Sequence, residues 1–249
     1  MQLRELAPEV DTHTHTILSG HAWSTLRENC AAAKARGMRG LCLTEHAPAI
    51  EGGAPAYIPH SQHMLPEEID GIRVYKGIEA NITGYDGGLD IPEKYLRLCE
   101  FAIASIHGDV FPVKQDAAAN TEVYLKLLRD PYIDIIGHPD DARVPCDLDA
   151  LVTEAGRRGK LLEVNNLSAT PHRPGSLPVV RAYLRCCKEH RQRICVSSDA
   201  HFDTMVGDFS AVLPLLEEVE YPPELIVNLR KETFEAYLRE RRERLRALV

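Results

Sequence analysis

The chain has 249 residues, 44% of them hydrophobic, and a formal net charge of −8 at pH 7. That length and apolar content suit one globular domain, 1–249, of the size of a β/α barrel. A pI near 5.8 argues against broad nucleic-acid binding, which needs a basic surface, and no apolar run approaches membrane-spanning length.

Strand and helix alternate from end to end. Residues 9–14 read as the first strand, closing in Asp11-Thr12-His13-Thr14-His15, with His21 in the loop beyond. A helix follows, with Ser24 or Thr25 as N-cap, an Ala-rich body over 31–35 and Gly37 as its stop. The second strand, 40–44, runs into Thr44-Glu45-His46, and residues 48–66, with their prolines and histidines, read as a loop or lid. The third, 73–80, carries Gly77-Ile78-Glu79; the fourth, 101–105, leads to Ser105-Ile106-His107 and a helix over 121–128. The fifth, 133–137, ends at Gly137-His138-Pro139 before a helix over 147–158. The sixth, 160–164, ends in Glu163-Val164-Asn165-Asn166 before a helix over 176–190. The seventh, 193–197, ends in Ser198-Asp199-Ala200-His201, and helices near 210–219 and 231–248 finish the chain. The mixed charges at 239–244 read as a solvated helix face.

Continuous apolar strands separated by amphipathic helices indicate a parallel sheet covered by helices. Ligand-type side chains close six of the seven strands and asparagines close the other, the end of a β/α barrel at which reactive groups sit. Scattered core histidines would not recur at that one place in each repeat. The expected fold is therefore α/β: a distorted seven-stranded (β/α)7 barrel, TIM-like, with a metal site at the strand C-termini. An open doubly wound sheet would gather its ligands at one switch point instead. The polar N-terminus, Met1-Gln2-Leu3-Arg4-Glu5, lacks the apolar stretch of a secretory leader. Seven cysteines without a C-x-x-C pair read as reduced core thiols, which excludes a zinc finger and points to the cytoplasm.

Those strand-end motifs, with Gly77-Ile78-Glu79-Ala80-Asn81-Ile82 and Asn120-Thr121, resemble the PHP (polymerase and histidinol phosphatase) family, and most of all its YcdX-type phosphatase branch. Two departures stand out: Glu45 where the family's second motif usually has Asp, and Pro139-Asp140-Asp141 where relatives often carry Gly-Asn. The resemblance implies three divalent transition metals. His13, His15, Glu79 and Asp199 would hold the first, His21, His46 and His201 the second, and a bridging Glu79 with His107 and His138 the third. Nitrogen and oxygen donors without thiolate fit zinc, manganese or iron, zinc being the first choice.

Such a centre suits hydrolysis of a small phosphate monoester by a metal-bound hydroxide, with no side-chain nucleophile. Arg173 is the expected phosphate clamp and Arg143 a weaker second candidate. An amidohydrolase-type metal hydrolase is the alternative, although that superfamily usually bridges its ions with a lysine where this chain has His107. Histidinol phosphate stays open as a substrate within the family, as does a scaffold role. The expected partner is a small phosphorylated molecule, with no nucleic acid and no membrane; assembly into a homo-oligomer is left open.

Overall fold

The computed structural model describes residues 7–114 and 116–247. The N-terminal residues read as lacking a leader, and Leu248 at the end of the last expected helix, lie outside them. Seven parallel strands form a nearly closed barrel: β1 (Val10–Thr14), β2 (Gly40–Leu43), β4 (Ile72–Asn81), β5 (Phe101–Ser105), β6 (Ile135–Ile136), β7 (Leu161–Asn165) and β8 (Ile194–Ser197), paired in that order. A short β3 (Glu68–Ile69) folds back antiparallel onto β4. Its turn is Asp70-Gly71, both at positive φ (51° and 89°), the tight hairpin that Asp-Gly between apolar residues favours. The main helices between strands are α1 (Leu26–Ala35), α4 (Ala117–Arg129), α5 (Leu148–Arg158) and α6 (Ser176–Glu189), with α7 (Leu213–Glu218) and α8 (Lys231–Arg246) after β8. Short turns of helix, α2 (Ile58–Ser61) and α3 (Glu93–Leu96), lie in the connections around β4. No helix among the described residues is long and apolar enough to cross a membrane.

The expected elements are present, with local differences. Thr25 is the N-cap of α1, in a capping box with Glu28. The segment 48–66 contains α2, and α4 begins four residues earlier than its apolar periodicity indicates because Asp116 caps Ala119 N. Only Ile135–Ile136 of the fifth expected strand pairs as β-structure.

An apolar layer inside the barrel positions the site. Inside the barrel, Val10, Cys42, Tyr75, Phe101, Ile103, Ile135, Leu161 and Cys195 pack into one cluster with Phe234, Tyr237 and Leu238 of α8, which closes the N-terminal end of the strands. Helix α8 is therefore not a solvated face throughout. Arg241 is buried, donating from Nε to Asp134 Oδ2 (2.6 Å) and from Nη1 to the Cys99 carbonyl (2.9 Å). With that end plugged by hydrocarbon, polar chemistry is confined to the opposite mouth.

The remaining seam, between β8 and β1, is closed in two ways. Near the mouth, Thr14 and Ala200 form a parallel bridge and His15 N donates to Ala200 O (2.8 Å). Lower down, the buried Asn228 stands in for a strand: Nδ2 donates to the carbonyls of Val10 and Val196 (both 2.7 Å), and Oδ1 accepts from Val196 N (3.0 Å). Asn228→Ala would leave these backbone groups buried without partners, each worth about 1–3 kcal/mol. The expected result is a loss of at least about 2 kcal/mol in urea-induced unfolding. An unchanged midpoint would show that the seam closes without it.

Candidate metal centre

The first histidine pair reaches the barrel interior through an irregularity. Val10 belongs to the inner cluster, so strict alternation would turn Thr12 and Thr14 inward and His13 and His15 outward. Asp11 pairs with Leu41 but Thr14 with Leu43, so three steps on β1 match two on β2. This one-residue bulge reverses the alternation and aims both rings at the axis. On β4 the alternation is regular and carries Tyr75, Gly77, Glu79 and Asn81 along the inner face. His138 and Asp199 adopt positive φ (32° and 55°), backbone strain of the kind found where a site fixes a side chain's direction.

Glu79, fully buried, is the hub. Its Oε2 lies 3.2 Å from His13 Nε2, 3.6 Å from His15 Nε2 and 2.6 Å from His46 Nδ1. Its Oε1 lies 3.4 Å from His107 Nε2 and 3.3 Å from His138 Nε2. Asp199 Oδ1 is 3.3 Å from His15 Nε2 and 3.6 Å from His13 Nε2. His201 Nε2 stands 3.0 Å from His21 Nε2 and 3.4 Å from His46 Nε2. All nine expected ligand residues thus meet at the mouth, with His21 on its exposed side.

These contacts are not ordinary hydrogen bonds. His13 Nε2, His15 Nε2, His46 Nδ1 and both Glu79 oxygens are buried without a hydrogen-bond partner, although they crowd one another. Buried polar atoms are seldom left in that condition. The opposite ring nitrogens explain the arrangement. His13 Nδ1 bonds Glu163 Oε1 (2.7 Å) and His201 Nδ1 donates to Asp199 O (2.9 Å). His107 Nδ1 bonds Asn81 Oδ1 (2.7 Å), and the Asn81 amide nitrogen is itself donating to Ala47 O and Asp90 Oδ2. With Nδ1 engaged in this way, a neutral ring at His13, His107 or His201 turns the lone pair of Nε2 toward its neighbours. Lone pairs that face one another repel unless a cation lies between them, so the donor set fits metal ions. Donor atoms of His13, His15 and Asp199, of His15, His46 and His201, and of His46, Glu79 and His107 fall within 4.8 Å of one another.

The carboxylates draw positive charge into the cluster: against the effect of burial, Glu79, Asp199 and Glu163 raise the His13 imidazole well above its usual range. Burial alone would raise the Glu79 and Asp199 carboxyls, but the surrounding histidines hold both well below the ordinary carboxylate range. Burial, with His46 and His201 as neighbours, holds His15 well below the usual imidazole range, which keeps it the neutral ligand a metal requires.

A layer of supporting groups lies behind the ligand set; the sequence marks Glu45 as a departure able to alter the hydrogen bonds there but assigns no partner to Glu163. Buried Glu163 accepts from His13 Nδ1, Ser197 Oγ (2.6 Å), His138 N (2.5 Å) and Asn165 Nδ2 (3.1 Å). Glu45, the departure in the second motif, accepts from Thr16 N (3.1 Å), Thr16 Oγ1 (2.5 Å) and Ser19 Oγ (2.5 Å). Ser19 Oγ in turn meets His15 Nδ1 (3.2 Å) and the His46 N–H (3.0 Å). Period-two alternation was the available signal, since Glu163 stands two residues before Asn165 and Asn81 two after Glu79.

A cleft of about 210 Å³ opens over the cluster, lined by His21, His46, His107, His201, Arg143 and Arg173 among others. Arg173 is buried: Nη2 donates to Asp199 Oδ2 (2.8 Å) and Nη1 to Ser168 Oγ (3.1 Å). Arg143 is exposed and paired with both oxygens of Asp141. His172, outside the nine expected ligands, also lines this cleft. His60 and His63 instead line a larger cleft of about 550 Å³ with Arg73 and Lys76, away from the cluster.

A nearly closed α/β barrel with a histidine and carboxylate cluster able to hold metal at the C-terminal ends of its strands has the architecture on which metal-dependent hydrolases are built. The chain belongs to the PHP domain family, whose model matches residues 11–238. It is 41% identical over 237 residues to a probable phosphatase of Acetivibrio thermocellus, covering 95% of this chain and 98% of that one. Among solved structures it is similar to histidinol phosphate phosphatase from Lactococcus lactis, complexed with zinc, L-histidinol and phosphate (TM-score 0.57, 18% identity, 86% of this chain and 94% of that one). It is also similar to a chain of archaeal ribonuclease P with mature tRNA (TM-score 0.63, 17% identity, 95% and 93% covered). At those identities the two structures share the fold alone with this chain.

Proposed function

We propose that this PHP-family phosphatase hydrolyses a small phosphate monoester at a centre of three divalent metals. The observation that carries the reading is the set of buried, partnerless ligand atoms around both oxygens of Glu79. His13, His15, Glu79 and Asp199 would hold one ion, His21, His46 and His201 a second, and Glu79, His107 and His138 a third. Zinc suits these donors best, with manganese and iron as alternatives. When bound, the metals supply a water-derived nucleophile at neutral pH and positive charge for the phosphoryl oxygens.

The chain's own residues do the rest. Glu163, Asn81 and Ser19 fix the tautomer and direction of His13, His107 and His15. Arg173 anchors the outer oxygen of Asp199, and because Nη1 and Nη2 each make one bond, the second hydrogen on each can serve a phosphoryl oxygen. Arg143, on the exposed rim, adds positive charge beside the cleft. The cleft's size favours a small ester over a nucleic-acid strand, and the seven free cysteines suit the reducing cytoplasm.

Turnover of a panel of phosphate monoesters, L-histidinol phosphate included, by zinc-, manganese- or iron-loaded protein tests this reading; no hydrolysis of any ester would reject it. Arg173→Ala should lower kcat/KM by roughly ten- to hundredfold, through loss of a charge-assisted contact of about 1.5–3 kcal/mol. Inhibition by inorganic phosphate should weaken in parallel. Because Asp199 loses its partner too, metal retention should also fall. Unchanged KM and phosphate inhibition would remove Arg173 from the substrate site and leave it a support for Asp199.

A further inference from the structure

Away from the barrel mouth, Asp149, Cys186 and His190 bring an oxygen, a sulfur and a nitrogen donor together where α5 meets the end of α6. Cys186 and His190 are four residues apart, so they share one face of the last turn of α6, with His190 as its C-cap. Asp149 reaches across from the first turn of α5 and places Oδ1 2.8 Å from His190 Nε2. All three donor atoms lie within 4.8 Å of one another. A Cys, His and Asp trio could also be a nucleophile with its base, and the local charge decides between the readings. Burial, then the carboxylates of Asp149, Glu189 and Asp147, push the Cys186 thiol up, the reverse of what a nucleophile needs. Those same carboxylates favour a cation, as does the negative end of the α6 dipole.

We propose that Asp149, Cys186 and His190 form a second metal site, separate from the barrel centre, that takes a zinc-class divalent cation. Thiolate, imidazole and carboxylate together select a borderline-soft ion over magnesium or calcium. Binding forms the sulfur–metal bond and releases the thiol proton to solvent. The ion would tie α5 to α6, and the loops leading into those helices carry Arg143 and Arg173.

Cobalt(II) titration of the full chain tests the site, because the cluster at the barrel mouth contains no thiol. A near-ultraviolet thiolate-to-cobalt charge-transfer band should appear, vanish in Cys186→Ser, and need at least about tenfold more cobalt in His190→Ala. Zinc should also slow iodoacetamide labelling of Cys186, read by peptide mass spectrometry, in the wild type but not in His190→Ala. A band that persists unchanged in Cys186→Ser, no band in excess cobalt, or labelling indifferent to zinc would each overturn the proposal.

Discussion

Glu79→Gln should reduce phosphatase turnover by several orders of magnitude while the barrel stays folded. The substitution keeps the side chain's size but removes the charge that faces five histidines, with His13, His15 and His46 at one oxygen and His107 and His138 at the other. It also replaces one acceptor oxygen with an N–H₂ donor, which cannot serve as a ligand. Two of the three proposed ions share this carboxylate, so both should weaken at once. Circular dichroism and thermal unfolding separate a folded, inactive variant from a misfolded one. Near-normal turnover in Glu79→Gln would reject the bridging role.

The second large effect is expected at Glu163, which touches no proposed ion. Glu163→Ala would leave His13 Nδ1, Ser197 Oγ, His138 N and Asn165 Nδ2 without their buried acceptor. Breaking a buried charged network by removing one member costs about 3–5 kcal/mol. For a chain of this length that lowers Tm by roughly 6–20 °C. The ring of His13 would also lose the group that fixes its tautomer, so metal affinity should fall by about ten- to hundredfold. Chelator competition and calorimetry measure the two effects on one sample. Normal stability together with unaltered metal affinity would show that Glu163 neither holds the core nor orients His13.

The sequence makes the barrel legible because each β/α unit repeats one physical pattern, an apolar run ending in a ligand-type residue. The strand that carries Glu79 and the strand that leads to Asp199 fall where the apolar runs and turn residues place them. What stays hidden depends on partners distant in the chain. The bulge that aims His13 and His15 inward is set by pairing with β2, and Asp11-Thr12-His13 alone does not announce it. Asn228 closes the seam across more than two hundred residues, and Arg241 looks like a surface charge until Asp134 is found beneath it. The Asp70-Gly71 hairpin is a different kind of omission, since its turn signal is plain in the sequence. Supporting residues such as Glu163 and Asn81 were legible only as members of the inward-facing alternation, which fixes their direction without naming their partners.

Elemental analysis of protein purified without chelator and loaded to saturation tests the central claim most directly. Zinc, manganese and iron should be counted per chain in Cys186→Ser, which leaves the barrel cluster intact, and in the double variant Cys186→Ser/Glu79→Gln, so that the surface site does not contribute to either. The account predicts about three tightly held ions in the first and about one in the second. One ion or none in the first under every loading condition, or an undiminished three in the second, would contradict it.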